Sequence, residues 1–220
     1  YSLIFKEMKK VLLSNILFGK SDELDKNDKK TEKQVLQALE EFLTENDPED
    51  FEAVLPQIKN EIKDRFEEIK SNKLIFRGIC LTTETFKKMF WSSLDDKAKE
   101  MFYKIQDGLT NPSDFVKVKN IKLKSKKGHQ IQSWTSRKDI ALSFAGSNQI
   151  TVVFIAKMNT PNLFFGKPGE LAKAVNSEYL EEMESISIGP VLCEEMYFGP
   201  TVANEGIQKI LKSKIFDSSK

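Results

Sequence analysis

The chain holds 220 residues, 40% hydrophobic and 30% charged, enough for one sizeable domain or for a small lobe on one core. No stretch approaches the roughly eighteen uninterrupted apolar residues of a membrane span, and Cys80 and Cys193 lie far apart with no Cys-x-x-Cys or histidine cluster, which argues against a disulfide framework and a zinc site. The net charge of +1 is unevenly spread: residues 117–127 (KVKNIKLKSKK) are basic, residues 178–184 are acidic, and His129 is the only histidine, so a mechanism that needs two is excluded.

From the amino end, Leu3, Ile4, Met8, Val11, Leu12, Ile16 and Leu17 recur at the three-and-four spacing of an amphipathic helix. Lysines cut this run, so no signal peptide is expected, and secretion stays undecided. Residues 31–44 and 50–70 carry two more helical patterns, with the turn-like ENDPED between them. Residues 1–72 are thus expected to form an N-terminal helical lobe that packs on the core or recognises a target.

At Lys73 the texture changes. LIFRGICL (74–81) is an apolar run of strand type, TETFKKMFWSSL (83–94) is helical, and FVKVKNIKLK (115–124) alternates with period two. The lysines of this last stretch read as a solvated edge strand or loop, or else as a patch facing phosphates or a target. Residues 130–135 are a strand candidate, DIALSFA (139–145) gives one or two helical turns, and ITVVFIAKM (150–158) is the strongest strand signal in the chain. PGELAKAVNSEYLEEM (168–183) fits a helix, SISI and VLCEEMYF are strand pieces each closed by Gly-Pro, and GIQKILKSKIF (206–216) ends the chain. The expected architecture is α+β, with residues 73–220 as the core.

Three short pieces carry chemistry. Arg77 lies inside an apolar strand as Phe76-Arg77-Gly78; a buried guanidinium is costly unless an anion pairs with it, so this arginine either meets a phosphate or carboxylate or reaches solvent from a sheet edge. Ser133-Trp134-Thr135-Ser136 places hydroxyls at a strand end, able to orient a carboxylate or a ribose, or simply to cap the helix that follows. Tyr179-Leu180-Glu181-Glu182-Met183-Glu184 reads either as the acidic end of an amphipathic helix or as a site with paired carboxylates.

In this order the pieces resemble the arginine, serine, glutamate signature of the mono-ADP-ribosyltransferase family, which includes bacterial exotoxins and phage enzymes. In that family an aromatic-Arg-Gly strand comes first. A Ser-x-Ser/Thr strand follows with a Phe-Ala-Gly-like turn behind it, and a Glu-x-Glu opens a later strand. The matching positions are Arg77, Ser133 with Thr135, Phe144-Ala145-Gly146, and Glu182 with Glu184, so the resemblance covers residues 73 to about 216. It implies an ADP-ribosyltransferase-like core of two packed, mostly antiparallel sheets behind the N-terminal helical lobe. Two departures stand out. Glu184 is followed by the polar Ser-Ile-Ser-Ile-Gly-Pro where the family has an apolar strand. Glu195 opens the more apolar Glu-Met-Tyr-Phe-Gly-Pro and is a rival for the catalytic glutamate, but Cys193 stands two positions before it instead of Glu. Tyr179, five positions ahead of Glu184 as the family's loop aromatic would be, favours Glu184.

The resemblance further implies an enzyme that splits nicotinamide from NAD, its co-substrate, and hands ADP-ribose to a macromolecular acceptor, protein or nucleic acid, with no metal. The bond is N-glycosidic, so cleavage passes through a ribosyl cation. On this reading Glu184 stabilises the cation, Ser133 fixes that glutamate, and Arg77 binds an NAD phosphate, with Gly78 and Thr135 beside the dinucleotide. Phe144 packs on nicotinamide, and Glu182 helps to deprotonate the acceptor. Arg77, Ser133 and Glu184 are expected to converge on one cleft. The family also suggests a toxin, effector or phage/anti-phage factor acting in the cytoplasm of a host or target cell, with an antitoxin or inhibitor as partner. An NAD glycohydrolase and a non-catalytic binding module of the same fold are the alternatives. A nucleic-acid-binding protein would rest on residues 117–127 alone, which lack interleaved aromatics for base stacking.

Overall fold

The computed structural model describes residues 49–57, 70–124, 131–145, 149–159, 161–166 and 184–201, together with residues 34, 35, 37, 38, 41, 42 and 213. Among these, the elements run in chain order as α1 (Glu49–Val54), β1 (Leu74–Leu81), α2 (Thr83–Phe90), α3 (Asp96–Gln106), β2 (Val116–Leu123), β3 (Ile131–Thr135), α4 (Lys138–Ser143), β4 (Ile150–Lys157), β5 (Phe164–Phe165), β6 (Glu184–Ile188) and β7 (Val191–Pro200). The helical patterns at 3–18 and 168–183 lie outside the described residues, as do 58–69, parts of 31–44 and, apart from 213, the pattern at 206–216. The helix expected over 50–70 stops at Val54; a 3-10 turn, Leu55–Gln57, follows, where Pro56 has no N–H to continue the ladder.

The seven strands hydrogen-bond in the order β2-β7-β4-β1-β3-β6-β5, and the described pairings are antiparallel. Two packed sheets were expected, whereas the described strands form one ladder. The cause is β3: Thr135 at its end pairs with Phe76 of β1, while Ser187 of β6 donates its hydroxyl to the Gln132 carbonyl at 3.5 Å. One five-residue strand thereby joins both sets.

Packing divides the chain into two compact units, and neither is continuous in sequence. The first comprises Tyr1–Asn72, Lys124–Ser133 and Met158–Val191, the second Lys73–Leu123, Trp134–Lys157 and Leu192–Lys220.

In the second unit β1 pairs with β4 from Leu74 opposite Lys157 to Leu81 opposite Ile150, and β4 pairs in turn with β7. Because strand side chains alternate, this register defines two faces. Arg77, Phe154, Met196, Val152 and Phe198 share one of them. There Phe86 and Phe90 of α2 meet Phe198 and Phe154, with ring centroids 4.6 and 5.8 Å apart, and Phe102 of α3 stacks on Phe86 at 5.8 Å. Phe76, Val153, Ile155 and Tyr197 share the other face, packed with Ala141 and Leu142 of α4 and with Phe115. Gly78 lies on this second face. A Cβ there would overlap the carbonyl oxygen of Ala141, so the helix approaches β1 this closely only because the residue is glycine.

Both covering helices are capped by side chains. Thr82 accepts from the Thr85 N–H at 3.2 Å to start α2, and Asp95 accepts from the Ala98 N–H at 2.8 Å to start α3. The sequence reading assigned nothing to α3, although Asp95 as a cap and Ala98 with Phe102 four residues apart are its signals. Strand β2 stands at the sheet edge, as the lysine-rich stretch suggested. Its alternation breaks at Asn120, whose φ of 55° lies in the left-handed region that asparagine tolerates.

In the first unit, β5 and β6 pair through Phe164 with Ser187 and Phe165 with Ile186. Ser185 and Ser187 are buried, yet each hydroxyl reaches a carbonyl, Ser185 that of Gly166 at 2.8 Å and Ser187 that of Gln132. Satisfied in this way, a polar Ser-Ile-Ser-Ile strand can lie in a core.

Candidate functional site

Arg77 stands in the middle of β1, half-buried, opposite Phe154. Cys193 of β7 lies on the same face, opposite Ala156. Its thiol is pushed up to about 12, first by burial, while a hydrogen bond from the Leu123 backbone and the Arg77 charge pull the other way. At that value the sulfur is not a nucleophile near neutral pH.

Thr135 and Gly78, both expected to bind the dinucleotide, each have a structural part in the fold. Thr135 pairs with Phe76 and therefore lies on the α4 face, opposite that of Arg77. Its hydroxyl accepts from the Arg137 N–H at 3.0 Å and turns the chain into α4, while the Arg137 guanidinium binds Asp139 at 2.5 Å. Gly78 makes room for α4, as described above.

Phe144, which caps α4, is 58% exposed, whereas Ala145 after it is buried and takes the Thr151 hydroxyl on its carbonyl at 2.6 Å. The turn thus fixes its alanine inside and presents its phenylalanine outside. An exposed aromatic ring is free to stack on a planar ligand. Gly146, His129, Tyr179 and Glu182 lie outside the described residues.

Ser133 is half-buried on β3, and Glu184 is the first residue of β6. Both belong to the first unit, Arg77 to the second. Along β3, Ser133 alternates onto the Thr135 side, opposite that of Arg77, so the register does not bring Ser133 together with Arg77.

Glu195 is not brought together with Arg77. It pairs with Ile155 and thus stands on the Phe76 and Tyr197 face, opposite the arginine. Both of its carboxylate oxygens are engaged: Lys117 Nζ donates to Oε1 at 2.6 Å and the Tyr197 hydroxyl to Oε2 at 2.8 Å, with the Lys117 ammonium 5.2 Å from the Tyr197 ring centroid. The cluster ties β2 to β7. The Glu195 carboxylate is thus held by a cation and a hydroxyl.

The hydrogen bond to Glu195, followed by that to Tyr197, raises the Lys117 ammonium above its ordinary value of 10.5. A raised folded-state value means that the stabilisation is complete below the ordinary value and disappears as pH rises through the folded one. Lys117→Met or Glu195→Gln should each lower unfolding stability by about 1–2 kcal/mol, with the double variant losing less than the sum. Urea titrations at about pH 8 and about pH 11 check this. The Lys117→Met deficit should shrink at the higher pH, and an unchanged deficit would mean that the contact is not ionic.

One residue passed over in the sequence is Gln132. It is 8% exposed, and its Oε1 is buried with no hydrogen-bond partner among the described residues. No sequence signal marks it, because a glutamine before Ser133 looks like any strand residue. Among the described residues no group of three His, Cys, Asp or Glu side chains could hold a metal ion, and no helix is long and apolar enough to cross a membrane. Comparison with known protein families, curated proteins and solved structures finds no match.

Proposed function

We propose that this chain is a mono-ADP-ribosyltransferase that cleaves NAD and transfers ADP-ribose to a protein or nucleic acid acceptor. The observation that carries the reading is that Arg77, Ser133 and Glu184 each fall on a β-strand, β1, β3 and β6, in the family's order along the chain. The exposed Phe144 at the end of α4 supports it as a platform for nicotinamide. The ADP-ribosyltransferase fold itself belongs to the proposal.

The chemistry needs few groups. Departure of neutral nicotinamide leaves positive charge on the ribose, and a fixed carboxylate lowers the cost of forming it. Glu184 is that carboxylate, Ser133 orients it, and the Arg77 guanidinium holds a phosphate. Glu182 takes the acceptor's proton as the new bond forms. A role as toxin, effector or phage factor in the cytoplasm of a host or target cell, with an antitoxin or inhibitor as partner, belongs to the same reading.

Incubation with NAD labelled on adenine and a cell lysate tests it, with nicotinamide release and bound label followed together. Label removed by protease marks a protein acceptor, and label removed by nuclease a nucleic acid. Nicotinamide release without bound label would mean a glycohydrolase, and neither signal would end the enzymatic reading. Glu182→Ala should lose transfer while retaining slow nicotinamide release; equal loss of both would remove Glu182 from the acceptor side.

A further inference from the structure

Charge is spread unevenly along this chain, and β2 gathers it on one side. Between Asp114 and Asp139 the sequence holds seven lysines, one arginine and no acidic residue, although the whole chain carries a net charge of only +1. Val116, Val118, Ile121 and Leu123 of β2 are all buried, a set that strict alternation would split at Asn120. The left-handed Asn120 is the extra step that returns Ile121 to the buried side. It thereby turns Lys122 to the side of Lys117 and Lys119. Of these three, Lys117 is tied to Glu195. Lys119 and Lys122 are exposed and, among the described residues, have no ion pair.

The strand ends the sheet order, so these ammonium groups stand at an open rim. Lysines also keep an edge strand from pairing with a second sheet. That task does not require a segment of 24 residues, 115–138, to be free of acids. Cations without interspersed carboxylates complement a polyanion. The outward positions Lys117, Lys119, Asn120 and Lys122 include no aromatic ring, and a single strand held without sequence preference relies on such rings for stacking. A duplex needs none, and it presents one phosphate charge per roughly 1.7 Å of its axis. We infer that the outward side of β2 binds the phosphate backbone of double-stranded nucleic acid, with Lys119 and Lys122 on phosphates and the Asn120 amide as a neutral donor beside them. This binding is independent of the NAD chemistry proposed above, and its test uses no NAD.

Fluorescence anisotropy with labelled DNA and RNA duplexes of mixed sequence, titrated between about 50 and 200 mM salt, checks it. The wild type should bind a duplex more tightly than a single strand of equal charge, and the tighter of the two duplexes names the source. The logarithm of affinity should fall linearly with that of salt, and in Lys119→Gln/Lys122→Gln the slope should be shallower by about 2. Lys88→Gln/Lys97→Gln, which removes exposed lysines of α2 and α3, should keep the wild-type slope. Melting temperatures should agree among the three proteins, since only exposed side chains change. No duplex binding by the wild type, an equal loss of slope in both variants, or tighter binding of the single strand would each overturn the inference. Displacement of the duplex by polyglutamate at equal charge would overturn it in favour of an acidic protein partner. A β2 variant that self-associates in sedimentation yet binds duplex as the wild type does would overturn it too, because the lysines would then serve only to keep the edge unpaired.

Discussion

Gly78→Ala should destabilise the protein by about 3 kcal/mol or more, and Gly78→Val should leave little folded chain, given that whole domains are stable by roughly 5–15 kcal/mol. A Cβ at this position overlaps the backbone carbonyl of Ala141, and a backbone atom in a helix cannot swing aside as the end of a side chain can. Either α4 lifts from β1 or β1 distorts. Both disrupt the layer of Phe76, Ala141, Leu142, Val153, Ile155 and Tyr197. Urea unfolding followed through the buried Trp134 reads the change as a fall in midpoint at constant slope. The same experiment separates packing from binding. Were Gly78 needed only to let a dinucleotide approach, the alanine variant would stay within about 1 kcal/mol of wild type and lose affinity for NAD alone.

Glu184→Gln should reduce both nicotinamide release and transfer by about a hundredfold to a thousandfold or more, with NAD affinity changed less than about threefold. The substitution keeps the shape and removes the charge, and the charge acts on a cation that exists only near the transition state. Glu195→Gln is the matched comparison, and its turnover should stay near that of wild type after allowance for the folded fraction. Single-turnover nicotinamide release from saturating NAD distinguishes the two. Full activity in Glu184→Gln would remove the role assigned to it.

Much of the fold was legible wherever one element answers to one run of residues. ITVVFIAK is apolar throughout because β4 is covered on both sides, and LIFRGICL is interrupted only where β1 carries Arg77 and Gly78. What failed was whatever depends on a partner distant in the chain. The capped amphipathic α3 was overlooked between two louder signals. Ser-Ile-Ser-Ile is legible as a strand, but the carbonyls of Gly166 and Gln132 that satisfy its buried hydroxyls cannot be read from it. The side on which Thr135 lies follows from its pairing with Phe76, which is set by register and not by spacing. Glu195 looked free because Lys117 lies 78 residues away.

The irregularity in β7 shows why counting by twos misled at Cys193 and Glu195. Ile155 pairs with Glu195 and the next residue, Ala156, with Cys193, so Glu194 is an extra residue in the ladder, bulged out and bound to Lys157 at 3.0 Å. Cys193 and Glu195 therefore face opposite ways although one residue separates them. A second carboxylate placed at position 193 would not stand beside the first. For the gene, Glu194 is the codon that β7 can lose while both halves of its register keep their partners. A one-codon deletion at Met196 or Tyr197 would instead turn one end of the strand inside out, carrying apolar side chains toward water and charges toward the core.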